Sequence, residues 1–187
     1  MSQAINIPEL TTQRLELKPL DCCHSQGMFA LWSSDAVCRY SGTVTDYQRN
    51  LLEMPATSSQ TSDRIIDFWQ RAAGDGWGFR WAVLLGSEFI GTVGFNSLKL
   101  CSEIAYHLVP TYWGCGYMRE AAQAAIDWRT KGGLPEGINT KEDYSFEAFI
   151  EPNNQASIAL ALRLGFQPTE EVHEGARRYL LAADTRL

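Results

Sequence analysis

The sequence predicts an α+β fold. Across residues 78–109 the apolar side chains recur every second position, in three runs separated by turn residues. On either side, around residues 65–72 and 118–126, they recur at helical spacing instead. A meander of short strands covered by helices satisfies both periods. The apolar content is 45%, with six Trp, seven Tyr and eight Phe, enough for a sizeable core in 187 residues and too much for a disordered chain. No repeat, low-complexity tract or linker interrupts the pattern, so one domain over residues 1–187 is expected.

The elements follow in order. Gln13 to Pro19 alternates polar and apolar, as a half-buried strand does. Asp21 can cap a helix whose inner face carries Met28, Leu31 and Trp32. Ser41 to Ser59 is polar, with little periodicity, and reads as an irregular excursion. A second helix carries Ile65, Ile66, Phe68, Trp69 and Ala72 and ends near Gly74. Phe79, Trp81 and Val83, then Phe89, Ile90, Val93 and Phe95, mark two strands joined at Gly86-Ser87. Ser102 to Val109 is a third, with Ile104, Tyr106 and Leu108 on one face and Glu103, Ala105, His107 and Val109 on the other. After Pro110 a loop with two glycines leads into a helix with Met118, Ala121, Ala122, Ala125 and Ile126 on its buried side, ended by Gly132-Gly133. A strand over Tyr144 to Ile150 precedes a last helix, opened by Pro152-Asn153-Asn154 and closed by Gly165. Phe166–Val172 and Ala176–Leu181 form a closing hairpin through Glu174-Gly175.

Charge narrows the function. The net charge is −6 and the deficit runs through both halves, so no basic face is offered to nucleic acid. No run reaches the roughly 20 apolar residues of a membrane span, and Met1 to Leu10 lacks the features of a signal peptide. Cys22, Cys23, Cys38, Cys101 and Cys115 form an odd set without a CxxC pair, which fits reduced thiols in a cytoplasmic protein better than a disulfide framework or a zinc site.

The most informative stretch is strand, loop and helix over residues 102–130. Gly114 and Gly116 allow a tight turn and close approach of a ligand, and the unpaired N–H groups of the following helical turn favour an anion. Two glycines serve the geometry of the turn equally well. Asn154 and Ser157 stand three apart at the start of the last helix, as a capping pair or as ligand contacts.

These residues together resemble the GNAT superfamily of N-acetyltransferases. Thr12 to Leu20 looks like the opening strand of the branch that acetylates ribosomal-protein N-termini, and Ile90-Gly91-Thr92-Val93-Gly94-Phe95 looks like its third strand. Glu103 to Pro110, followed by Tyr112-Trp113-Gly114-Cys115-Gly116-Tyr117 and Glu120-Ala121, resembles the acetyl-CoA signature. Asn154 to Ser157 with Gly165-Phe166 resembles the next conserved block. The resemblance implies a GNAT-like fold: a mixed, mostly antiparallel sheet of about six or seven strands, splayed between the fourth and fifth and flanked by about four helices.

It also implies acetyl-CoA as co-substrate in that opening, without metal or covalent intermediate. The backbone of His107, Leu108 and Val109 would pair with the pantetheine arm. Amides from Thr111 through Gly114, Cys115, Gly116, Tyr117 and Met118 would hold the pyrophosphate, while Asn154 and Ser157 would lie beside the cofactor. Catalysis needs a neutral amine, a polarised thioester carbonyl and a proton for the thiolate. Glu103 matches the base position of some members, and the amide of His107 or Leu108 would act as oxyanion donor. Two positions depart from the pattern. Thr111 stands where an arginine or glutamine often does, and Ala161 where many members carry an acidic tyrosine, which leaves Ser157 or solvent as the proton donor. His107 and Arg119 read as structural and solvated residues, and Trp32, Trp69 and Trp128 as core. The excursion at 41–59 and Trp77 would wall the acceptor site. The expected reaction moves acetyl to a primary amine, a protein or peptide N-terminus first and a small amine such as a polyamine or antibiotic second, by a monomer or homodimer. The rivals are a non-catalytic CoA-binding regulatory domain and a nucleotide-binding domain.

Overall fold

The computed structural model describes residues 4–98, 101–133 and 145–182. Its strands are β1 (Leu10–Thr11), β2 (Glu16–Pro19), β3 (Phe79–Leu85), β4 (Glu88–Leu98), β5 (Cys101–Leu108), β6 (Ser145–Ile150), β7 (Gln167–His173) and β8 (Ala176–Leu181). Its helices are α1 (Ser25–Trp32), α2 (Asp35–Cys38), α3 (Ser59–Gly74), α4 (Tyr117–Thr130) and α5 (Gln155–Arg163). The α+β expectation holds, with more pieces than the period counts gave. The strand expected over Gln13–Pro19 begins only at Glu16, because the Thr12 and Leu15 backbones close a tight turn that folds Leu10–Thr11 back as β1. The four-residue α2 carries too few positions to show a period. Asp21 caps a short 3₁₀ turn, Cys22–His24, just ahead of α1. Tyr144, expected to open β6, lies outside the described residues.

All eight strands join one sheet in the order β1-β2-β3-β4-β5-β6-β8-β7. Neighbours run antiparallel except β5 and β6, which are parallel and, among the described residues, share three register pairs, Cys101↔Ser145, Ser102↔Phe146 and Glu103↔Glu147. Beyond these the two strands continue unpaired by each other to Leu108 and Ile150. The expected splay is therefore present, at β5/β6 because β1 adds one to the count.

Alternation along the strands divides the interior into two clusters. Phe79, Trp81, Val93, Phe95 and Ile104 pack against the small inner face of α4, where Ala121, Ala122 and Ala125 are fully buried and let the helix approach closely. Leu20, Ala82, Met28, Leu31, Trp32, Ile65 and Ile66 join α1 and α3 to the opposite face. Among the described residues no helix is long and apolar enough to cross a membrane.

Candidate functional site

Where β5 and β6 part, a cleft of about 1570 Å³ opens. One of its walls is the loop after β5. The chain leaves β5 through a 3₁₀ turn, Pro110–Tyr112, and the Trp113 indole N–H donates to the Leu108 carbonyl at 2.7 Å. Gly114 and Gly116 then take φ of 77° and 79°, which L side chains adopt only with strain. Gly116 is the N-cap of α4 and supplies no side-chain cap, so first-turn N–H groups of that helix remain available to an anion. The glycines thus make the turn, and the turn leaves helix-start amides facing the cleft.

Arg14, just ahead of β2, steadies this loop. Its Nε lies 2.7 Å from Glu120 Oε2, NH1 donates to the Cys115 carbonyl at 3.0 Å, and the guanidinium carbon stands 4.5 Å from the Tyr117 ring centre. The other Glu120 oxygen accepts from the Thr12 hydroxyl at 2.6 Å and from the Arg14 amide at 2.8 Å. Burial works against ionising Glu120, yet these bonds outweigh it and hold its carboxyl below the usual range.

The second wall is the start of α5. Asn154 Oδ1 accepts the Ser157 N–H at 3.2 Å, so the capping role is met, and both side chains still line the cleft. The Tyr106 hydroxyl donates to the Ser157 carbonyl at 3.5 Å, and burial pushes that phenol up to about 12. Ala161, one turn further on, is buried.

The third wall is the sheet face beneath α1 and α3. Arg80 is 4% exposed and lies over the Trp69 ring, with its carbon 3.6 Å from the ring centre. Its NH2 donates to Asn96 Oδ1, and Asn96 Nδ2 donates to Glu103 Oε1 at 2.6 Å. Burial pushes Arg80 down to about 9, with Glu103 opposing the shift, so the guanidinium is charged at neutral pH. The His107 ring sits 4.6 Å from that of Trp32 and its Nδ1 is shielded from solvent without a partner. Burial, then the Arg80 charge, depress His107 to about 3; such an imidazole is neutral near pH 7 and too weakly basic to deprotonate an amine.

Of the residues expected from sequence, Glu103, His107, Leu108, Gly114, Gly116, Tyr117, Met118, Asn154 and Ser157 all line this one cleft. Val109, Thr111 and Cys115 do not: the Val109 N–H donates to the Ile90 carbonyl, Thr111 is exposed within the 3₁₀ turn, and the Cys115 carbonyl faces Arg14. Trp128 is core against Phe79 and Trp81, whereas Trp32 and Trp69 pack inward and also line the cleft. Residues 41–45 and Trp77 line it as well, and so does exposed Arg119. Sequence reasoning missed Arg14, Arg80 and Asn96. Each sits in a strand or turn that explains itself by hydrophobic period alone, and their partners are distant in the chain.

A cleft floored by two diverging strands and headed by an amide-presenting glycine loop suits a long thioester cofactor with a pyrophosphate. The family model of the acetyltransferase (GNAT) domain matches residues 14–167. An uncharacterized N-acetyltransferase of Bacillus subtilis, YoaA, is 28% identical over 166 residues, spanning 86% of this chain and 83% of that protein. The fold matches RimL, described as a ribosomal L7/L12 alpha-N-protein acetyltransferase in complex with coenzyme A, with a TM-score of 0.72 at 20% identity over 95% of this chain and 100% of that one. It also matches the microcin C7 self-immunity acetyltransferase MccE, in complex with acetyl-CoA and AMP, with a TM-score of 0.69 at 16% identity over 91% and 93% of the two chains. The chain belongs to the GNAT family and is an acetyl-CoA-dependent N-acetyltransferase.

Proposed function

We propose that this enzyme acetylates an α-amine at a protein or peptide N-terminus, with Glu103 as general base and Ser157 as the donor of the leaving thiolate's proton. The observation that carries the reading is the position of Glu103. It stands on β5 at the last register pair before the sheet opens, on the same face as His107 and within the same cleft as Asn154 and Ser157. Acetyl-CoA, when bound, supplies an activated acetyl group. The backbone of His107 and Leu108 would pair with its pantetheine arm and polarise the thioester oxygen, while amides of Gly114, Gly116, Tyr117 and Met118 would take the pyrophosphate; Val109 and Thr111, which do not line the cleft, take no part. As the amine nitrogen bonds the acetyl carbon and the C–S bond breaks, Glu103 receives the proton the amine loses, and the Ser157 hydroxyl gives one to the departing sulfur and recovers it from solvent. An N-terminal amine titrates near pH 8, within reach of a carboxylate or a carboxylate-bound water. Support for a protein acceptor comes from the match to RimL; small amines are the alternative, and they separate by assay.

Thiol release from acetyl-CoA would be followed with short peptides bearing free N-termini and, in parallel, with polyamines and aminoglycosides. Turnover confined to the small amines would overturn the peptide reading. Glu103→Gln is expected to lower kcat/KM for the acceptor on the order of a hundredfold at pH 7 with little change in the KM for acetyl-CoA. Full activity in Ser157→Ala at saturating acceptor would remove the serine from its proposed role.

A further inference from the structure

Arg80 on β3, Asn96 on β4 and Glu103 on β5 form one hydrogen-bonded row across three adjacent strands. A buried guanidinium is costly unless its surroundings compensate it. Here the Phe79 carbonyl accepts from NH1 at 3.0 Å, Trp69 covers the flat face and Asn96 Oδ1 accepts from NH2. We propose that Arg80 is a positioning residue for acetyl transfer, acting through the side-chain amide of Asn96 to orient the Glu103 carboxylate and keep it charged. The proposal rests on the reading of Glu103 as the base.

Donor and acceptor chemistry gives the row its direction. A guanidinium only donates, so it takes the amide oxygen and turns the amide NH2 toward Glu103. An ionised carboxylate only accepts, so the row is complete when Glu103 carries its charge. The bond occupies Oε1 and fixes the carboxylate plane relative to the cleft. Without the cation, Glu103 would face another carboxylate across the seam. Glu147 on β6 is the register partner of Glu103 and lies on the same face. Its charge is met by Arg178 of β8, Nε to Oε2 at 2.7 Å, but Arg178 is divided between Glu147, Glu171 at 2.8 Å and Cys101 Sγ at 3.4 Å. His107, four residues along β5, is neutral, and α1 and α3 present Trp32, Ile65, Phe68 and Trp69 to this part of the cleft, none of them charged. Among the described residues, Arg80 is the cation joined to Glu103 through hydrogen bonds, by way of Asn96.

The test is direct titration of Glu103 by carbon NMR on the full-length enzyme with labelled glutamate, assigned by its absence in E103Q. In R80M, and separately in N96A, the Glu103 titration should move up by roughly one pH unit, with R80K recovering part of the shift. In pH–rate profiles with acetyl-CoA and a tetrapeptide bearing a free N-terminal serine, the acidic limb should move by the same amount, so that kcat/KM falls by up to about tenfold below the limb and converges with wild type above it. The KM for acetyl-CoA should stay within about twofold of wild type. If burial makes R80M too unstable to study, N96A carries the measurement from a half-buried position. An unmoved Glu103 titration in folded R80M and N96A would overturn the proposal and leave Glu103 as base. A moved titration with full activity in E103Q would keep the electrostatic link and overturn the base instead.

Discussion

His107 shows how a single side chain reports on the site. Its folded pKa is depressed to about 3 from an ordinary value near 6.5, so between those values the unfolded chain binds a proton that the folded one refuses. Stability contributed by the neutral ring is complete above pH 6.5 and is lost as pH falls toward 3. Melting temperature should therefore drop on acidification from pH 7 to 5, with a loss of up to about 1 kcal/mol per pH unit below 6.5. His107→Asn should flatten that dependence, and a profile as steep as wild type would refute the assignment. At this scale the sequence was legible where chemistry is local. Asn154 as N-cap and Glu103 on the His107 face follow from spacing alone. Arg80 and Asn96 were not, because an arginine inside an apolar strand gains meaning only when the β3–β4 register sets Arg80 beside Gly94 and so near Asn96.

Among the elements, β4 and the loop–α4 unit carry the sharpest demands. A Cβ at Gly91 would lie 2.2 Å from the His107 carbonyl and 3.0 Å from Leu108 Cα, so Gly91→Ala must push β5 away from β4. The expected result is a severalfold higher KM for acetyl-CoA in enzyme that melts earlier, since the displaced backbone is the one proposed to meet the pantetheine. Arg14→Ala removes the guanidinium from Glu120, Tyr117 and the Cys115 carbonyl while the glycines keep their turn. It should weaken CoA binding several-fold by calorimetry, more at low salt than at high; unchanged affinity would make the latch a feature of folding alone. Helices, turns and most strands were readable because period and punctuation are properties of contiguous residues. The extra pieces, β1 and α2, span two and four residues and leave no period to read.

For the molecule as a whole, the defining property is a sheet that stays joined at one end of β5/β6 and open at the other. Among the described residues three register pairs hold the two halves there, so a ligand bridging the opening should stabilise the fold by simple linkage. CoA at about 100 times its dissociation constant should add about 2.7 kcal/mol and raise the melting temperature by roughly 5–10 °C. No shift, with folded protein and a measured affinity, would mean that the ligand binds away from the seam. The splay itself was available only through resemblance to a family, since period two says that a strand exists and nothing about where it parts from its neighbour.

The strand order has one more consequence. β8 slots between β6 and β7, and its Arg178 holds Glu147, the carboxylate beside Glu103. Every other strand of the sheet leaves the ribosome before β8 does. A chain lacking residues from 176 onward would therefore set Glu147 beside Glu103 without the guanidinium that holds it.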